Sequence, residues 1–192
     1  SRNLTAVVAV TDSGRSSGVL RDELGILAPG DARNCLVALS ESGERERRLN
    51  ELFQYRFQDG SLEGMSVGNL MIAAMTDMAG SFERGIRNIS RLLNINGKVL
   101  PSTVTNCHVC AELQDGSTVK TEVAVRGLDK PPIKRLFIEP SAPEALDETI
   151  EEIMNADIVV LGPGSLYTSI LANVMIPRIR EALHECPAAV YY

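Results

Sequence analysis

The sequence predicts an α/β fold: a three-layer, mostly parallel sheet with helices on both faces and an inserted antiparallel hairpin. Two apolar, β-branched runs, at 4–11 and 158–161, are typical of strands that are buried on both faces. Segments with helical spacing of apolar residues alternate with strands along the chain, as in parallel sheets. From Lys98 the pattern changes to alternating apolar and polar residues, which indicates antiparallel strands. Together these patterns predict a Rossmann-like sheet with one β-rich excursion.

The first half of the chain is predicted to hold one strand, a polar loop at 12–18 and then a group of helices. Asp31 and Ser66 are placed to cap two of these helices. Asn96-Gly97 ends the group, because this dipeptide favours a turn. The helices are expected at 32–40, 44–57, 66–79 and 81–94.

The second half is predicted to be richer in strands. Apolar residues alternate over 109–113 and again over 119–125, on either side of a turn at Asp115-Gly116, which predicts a hairpin with one solvated face. We therefore predict a single α/β domain over 1–192, with the β-rich excursion at 98–139. The later elements are expected as strands at 133–139, 158–161 and 188–192, and helices at 142–155, 166–173 and 178–185.

The composition indicates a globular protein that binds neither nucleic acid nor membranes. Of the 192 residues 44% are hydrophobic and 23% charged, which suits one domain with a buried core. The net charge of −6 argues against a basic surface for nucleic acid or anionic lipid. No apolar run approaches the roughly 18 residues of a membrane span, and the first residues have no signal-peptide pattern. We expect a cytoplasmic protein with reduced cysteines.

Two motifs suggest other chemistry and are disfavoured by their context. Cys107 and Cys110 have the spacing of zinc ligands, but the alternating pattern around them sends their side chains to opposite faces. The run at 64–68 matches the Gly-x-Ser-x-Gly elbow of serine hydrolases, which requires a buried strand before it. The residues at 58–63 are polar, so a helix cap is the favoured role of Ser66.

The glycine turn after the strand at 158–161 is the main candidate site. Gly162-Pro163-Gly164 lets backbone approach a ligand, and Ser165 can cap the helix that follows. Free N–H groups and the positive end of a helix favour anions there, although an ordinary turn without a ligand has the same pattern. The loop at 12–18 offers an acid, hydroxyls and a cation, or is only a solvated connection. Arg33 and Asn34, in the first turn of a predicted helix, face either a ligand or solvent.

Four stretches, at 20–36, 53–57, 64–70 and 161–169, together resemble one known family. In this order and spacing they are similar to the bacterial gluconeogenesis factors, which belong to the superfamily of 2-phospho-L-lactate transferase. The resemblance implies a cytoplasmic protein that binds UDP-sugars such as UDP-N-acetylglucosamine and affects cell shape and growth on gluconeogenic carbon sources. The transferase branch instead moves a phospholactyl group from a nucleotide-activated donor to a deazaflavin, using magnesium. The run at 161–169 resembles the gluconeogenesis-factor version.

The resemblance also implies which residues form the site. Asp12 matches the first acid of the family's Asp-Asp-Gly-Gly-Ser-Ser-Gly loop, so it is the candidate for a magnesium contact and for catalysis in a transferase. Arg33 joins the expected nucleotide-binding residues because of its place in a first helical turn. The expected nucleotide-binding set is Gly162, Gly164, Ser165, Tyr167, Arg33, Asn34, Ser66 and Asn69.

The chain departs from the family pattern in two places. Ser13 stands where the family has a second acid, which weakens a magnesium site, and Arg15 stands in place of a glycine, where it either neutralises phosphate or blocks the approach. Family members begin with a further strand and phosphate loop and continue beyond Tyr192, so the chain resembles a fragment or a truncated relative. Three functions remain open: a non-catalytic nucleotide-sugar sensor, which is favoured, a magnesium-dependent transferase, and a protein that binds a partner or a second copy of itself.

Overall fold

A computed structural model describes residues 3–192, and helices and strands mix along the chain as the predicted α/β class requires. The strands are β1 (Thr5–Val8), β2 (Lys98–Pro101), β3 (His108–Leu113), β4 (Thr118–Lys120), β5 (Ile133–Glu139), β6 (Ile158–Val160) and β7 (Ala189–Tyr191). The helices are α1 (Arg15–Leu24), α2 (Gly30–Leu39), α3 (Glu44–Gln54), α4 (Val67–Ala79), α5 (Phe82–Leu92), α6 (Glu122–Arg126), α7 (Asp147–Met154), α8 (Leu171–Val174) and α9 (Pro177–Glu185). A 3-10 turn at Gly60–Leu62 and a π-helical turn at Leu166–Ile170 complete the elements.

The chain forms two compact units. Unit 1 comprises the chain up to Val8 together with Gly14–Leu100, and unit 2 comprises Ala9–Ser13 and Pro101–Tyr192. The prediction of one domain with an excursion at 98–139 stays a prediction.

Unit 1 is a helical cluster beside the β1–β2 pair. Its core contains Leu36, Phe53, Ile72 and Ile86, which are fully buried because the helices that carry them turn their apolar faces inward. Helices α4 and α5 approach very closely at Gly85, where an added Cβ would lie 2.8 Å from the Thr76 backbone. The absence of a side chain at Gly85 therefore allows the short distance between these two helices.

Unit 2 contains two sheets. Strands β4, β3 and β5 form an antiparallel sheet in that order, in which Cys110 pairs with Lys120 on one side and Phe137 on the other. The predicted hairpin is thus present. Its buried face is lined by Val109, Ala111 and Leu113, as the alternation indicated. Strands β6 and β7 form a parallel pair with Ile158 beside Ala189.

The predicted return strand over 119–125 is wrong beyond β4. The chain turns at Thr121, whose φ is 94°, and enters α6 instead. The Thr121 hydroxyl accepts a hydrogen bond of 3.4 Å from the Ala124 N–H, so it caps this short helix. A local side-chain cap overrides the alternation of the valines.

Two strands are shorter or more exposed than predicted. The run at 4–11 gives only the four residues of β1, three of them half-buried. In β6, Ile158 is 60% exposed and Val160 65% exposed, so this strand is not buried on both faces. Within residues 3–192, β6 pairs only with β7. A two-stranded sheet leaves much of its surface exposed to solvent.

The boundaries of two other features also differ from expectation. The polar loop ends at Gly14, because Arg15 already begins α1, whose ten residues the sequence patterns did not predict. Helix α2 begins at Gly30 after Pro29, so Asp31 lies inside its first turn and is not its cap. An acid in this position still favours the helix, because it faces the positive end of the helix dipole.

Candidate functional site

The first turns of α1 and α4 are joined by buried hydrogen bonds in unit 1. The Ser16 hydroxyl oxygen accepts from the Ser66 N–H at 3.1 Å and from Nδ2 of Asn69 at 2.9 Å. Helices α1 and α4 have ten and 13 residues, so both have a developed dipole. The positive ends of the two helices therefore meet at one place.

Asn69 is the centre of this arrangement. Its Oδ1 accepts from Nε of Arg33 at 3.0 Å, and its Nδ2 donates to Ser16 and, at 3.5 Å, to Ser17. Because a donor faces the amide oxygen and acceptors face the amide nitrogen, the orientation of the amide is fixed. We call Ser16, Ser17, Arg33, Ser66 and Asn69 the polar cluster, and each is at most 7% exposed.

Ser66 links the polar cluster to the core. Its hydroxyl accepts from the Asn69 N–H at 3.5 Å and donates to the Phe53 carbonyl at 3.4 Å, so it caps α4 as predicted. Two residues later, Gly68 lies against the same segment. An added Cβ there would overlap the Phe53 carbonyl oxygen and lie 2.8 Å from Cδ of Arg33. Only glycine allows α4 this close to Arg33.

The polar cluster has the chemistry of an anion site. The two hydrogen bonds that Ser16 accepts occupy its lone pairs, so its own O–H points away from both donors. A hydroxyl hydrogen, a guanidinium and two helix N-termini all attract negative charge. The arrangement can therefore hold a phosphate oxygen.

Unit 2 contains a second network, which joins three segments of the chain. The Thr11 hydroxyl donates to the Thr168 carbonyl at 3.4 Å, and the Thr168 hydroxyl donates to Oε1 of Glu122 at 3.5 Å. Glu122 also forms an ion pair of 2.9 Å with Arg126. We call Thr11, Glu122, Arg126 and Thr168 the Thr168 network. Since Thr168 lies in the π-helical turn, this network anchors the start of the helical segment after the glycine turn.

Asp12 and Ser13 lie beside the Thr168 network. The Ser13 hydroxyl accepts from the Val123 N–H at 3.2 Å. The hydrogen bond and charge of Glu122 raise the pKa of Arg126, and the charge of Asp12 acts in the same direction. Asp12 is therefore near enough to Arg126 to stabilise its charge.

The glycine turn itself is exposed. Gly162 and Gly164 have φ of 130° and 157°, which side chains rarely adopt, and Tyr167 is 45% exposed. Ser165 precedes the π-helical turn, but its hydroxyl makes no cap hydrogen bond there, contrary to expectation. Its carbonyl instead accepts from the N–H groups of Ser169 and Ile170 at 2.9 and 3.0 Å.

Comparison with known proteins places the whole chain in one family. The family described as "2-phospho-L-lactate transferase CofD" matches residues 1–192. "Gluconeogenesis factor" of Halalkalibacterium halodurans is 47% identical over 191 residues, and the protein of that name from Bacillus subtilis is 44% identical over 191 residues. The chain belongs to the 2-phospho-L-lactate transferase CofD family, and it is similar to relatives that are named gluconeogenesis factor.

The match covers nearly all of this chain but only part of its relatives. It takes in 99% of the chain in both cases, but 58% and 59% of the two gluconeogenesis factors. A crystal structure of a protein from Bacillus halodurans has a TM-score of 0.92 and 46% identity, covering 98% of this chain and 60% of that one. The α/β Rossmann-like fold is therefore shared with that structure.

The predicted site residues of this CofD-family chain fall into two groups. Unit 1 brings Arg33, Ser66 and Asn69 together, whereas Asn34 is exposed on α2 and lies outside the polar cluster. The others lie in unit 2: Asp12, Gly162, Gly164, Ser165 and Tyr167. The roles of all of them stay predictions.

Sequence reasoning singled out neither Ser16 nor Ser17, and it missed Glu122 and Thr168. The loop at 12–18 was noted for its hydroxyls, and that is the only signal that could have found the two serines. Glu122 lay in an apparent strand, and Thr168 in an apparent helix interior.

The described residues also bear on metal binding and on membrane spans. Among residues 3–192, no group of three or more His, Cys, Asp or Glu side chains is arranged to hold a metal ion. Cys107 and Cys110 are buried and are not joined in a disulfide. No helix in the described part of the chain is both long and apolar enough to cross a membrane.

Proposed function

We propose that the chain is the nucleotide-sugar-binding part of a regulatory gluconeogenesis factor. Its ligand is UDP-N-acetylglucosamine or a close analogue, and the protein acts in the cytoplasm on cell shape and carbon metabolism without catalysing a reaction. The observation that carries the proposal is the polar cluster, in which the buried Ser16 hydroxyl is left to donate where two helix N-termini meet.

The chemistry of the polar cluster suits a diphosphate. Hydrogen bonds to charged groups contribute about 1.5–3 kcal/mol each, and a Kd of 1 μM corresponds to about −8.2 kcal/mol. Two phosphate contacts therefore supply only part of a micromolar affinity, and the base and sugar must supply the rest. This division favours a nucleotide sugar over free phosphate as the ligand.

Calorimetric titration of the intact protein with UDP-N-acetylglucosamine tests the proposal. We expect saturable binding to the wild type, about tenfold weaker binding to Ser16→Ala, and unchanged binding to Ser61→Ala, an exposed serine of the 3-10 turn. Circular dichroism must first establish that each variant is folded, because Ser16→Ala also leaves two buried donors without an acceptor. No binding heat from folded wild-type protein at millimolar ligand would refute the proposal.

A magnesium-dependent phospholactyl transferase is the second candidate. The family to which the chain belongs is that of a 2-phospho-L-lactate transferase, and the charge of Asp12 acts on Arg126 in unit 2. Asp12 offers one carboxylate, so a magnesium ion would need phosphate oxygens of the substrate as further ligands. Transfer to a deazaflavin is to be assayed with and without magnesium, in the wild type and in Asp12→Asn. Turnover that is lost in the variant supports the enzyme, and no turnover in the wild type removes it.

A further inference from the structure

Two exposed arginines contact the same glycine in unit 1. The side chain of Arg15 passes beside Gly64, with its Cδ 3.3 Å from the position that a Cβ would take there. Arg56 donates from its guanidinium to the Gly64 carbonyl oxygen at 2.9 Å. The side chains of both arginines thus lie against one residue.

The backbone fixes Arg56 in this place. Arg56 and Ser66 form an antiparallel bridge, and the N–H of Phe57 donates to the Met65 carbonyl at 3.1 Å. Gly64 has a φ of 78°, which a side chain would adopt only with strain. A side chain at Gly64 would also press on the stem of Arg15. The turn therefore presents Arg56 next to the cap of α4.

Neither arginine has a carboxylate partner among residues 3–192. Arg47 and Arg48 on α3, by contrast, form ion pairs of 2.6 and 2.8 Å. Glu63, which precedes Gly64 in the chain, pairs with neither Arg15 nor Arg56. Two neighbouring like charges without a counter-charge repel each other, so an anion between them is favoured.

The pair adjoins the polar cluster. Arg15 is followed by Ser16 in the first turn of α1, and Arg56 lies opposite Ser66. A phosphate oxygen that accepts from the Ser16 hydroxyl would therefore lie beside the two segments that carry Arg15 and Arg56. Guanidinium groups match phosphate oxygens geometrically and stay charged at all physiological pH values.

We propose that Arg15 and Arg56 neutralise the diphosphate of a nucleoside diphosphate ligand, so that binding requires no divalent cation. The nucleotide part of this inference rests on the proposed function. Diphosphates in many proteins are neutralised by magnesium, which is bound through one or two carboxylates. Here two guanidinium groups supply the positive charge.

The test is calorimetry on the intact protein with two probes, inorganic pyrophosphate and UDP-N-acetylglucosamine, each in EDTA and in magnesium. The wild type is expected to bind both probes with Kd values that agree within about twofold between the two buffers. Arg15→Gln and Arg56→Gln are each expected to weaken binding about tenfold, whereas Arg15→Lys and Arg56→Lys weaken it less. Arg91→Gln is the matched control, because this exposed arginine bonds to Asn88 on α5 and not to Gly64.

The outcomes separate this inference from the proposed function. If both Gln variants bind UDP-N-acetylglucosamine as tightly as the wild type does, the role of the arginine pair is refuted and the proposed function stands. The same conclusion holds if wild-type binding requires magnesium. Arginine-dependent binding of pyrophosphate without binding of the nucleotide sugar supports the pair and refutes the nucleotide-sugar ligand. Failure to bind either probe overturns both.

Discussion

Gly68→Ala tests the close approach of α4 to Arg33. The added methyl would overlap the Phe53 carbonyl oxygen and lie 2.7 Å from Cδ1 of Phe53. Restoring a normal carbon–carbon contact of about 3.5 Å requires about 0.8 Å of movement. Phe53 is fully buried, so this movement disturbs the core. Overpacking of this kind costs about 1–3 kcal/mol, and the better helix preference of alanine offsets up to about 1 kcal/mol.

We therefore expect Gly68→Ala to lower the free energy of unfolding by about 1–2 kcal/mol in urea titration. Ligand affinity is expected to fall as well, because Arg33 lies 2.8 Å from the new methyl and must shift away from Asn69. Gly43→Ala is the control: its new methyl meets only the carboxylate end of Glu46, which can rotate away. A Gly68→Ala protein as stable as the wild type would refute the close packing.

Three further predictions concern single side chains. Thr76→Val is expected to raise the unfolding free energy by about 1 kcal/mol in urea, because the buried Thr76 hydroxyl has no hydrogen-bond partner in the described residues; a loss of stability contradicts this. Thr168→Val is expected to lower the free energy of unfolding by about 1 kcal/mol in urea, and Thr168→Ser to retain it, because only the hydroxyl reaches Glu122; a Thr168→Val protein as stable as the wild type would argue against this hydrogen bond. The hydrogen bond and charge of Lys134 lower the pKa of Glu112 below its usual 4.5, so this pair stabilises the folded state above about pH 4.5 and the stabilisation is lost as the pH falls further. Glu112→Gln is accordingly expected to flatten the decline of thermal stability in acid, and an unchanged pH profile would argue against the pair.

Sequence patterns predicted correctly those elements that are determined by residues close together in the chain. Ser66 caps α4 as expected, because a serine before an apolar helical run satisfies a free N–H wherever the helix packs. Pro177 begins α9 for a similar reason, since its fixed φ suits the first turn. Strand β3 and its hairpin with β4 also followed from the alternation on either side of the Asp115-Gly116 turn.

Contacts between distant residues could not be predicted in this way. The bond between Asn69 and Ser16 joins positions 53 residues apart, so no window of sequence contains both partners. The resemblance placed Ser66 and Asn69 in one site, but only the fold joins them to Ser16 of α1. Likewise, whether β6 is buried depends on what lies beside it, and its apolar sequence does not determine that.

A crystal structure of the intact protein with UDP-N-acetylglucosamine would show directly whether the Ser16 hydroxyl binds the diphosphate. We expect a phosphate oxygen within about 3 Å of the Ser16 hydroxyl, in a direction that its hydrogen can reach. A diphosphate bound elsewhere, with the polar cluster facing only protein, would refute an anion site at Ser16.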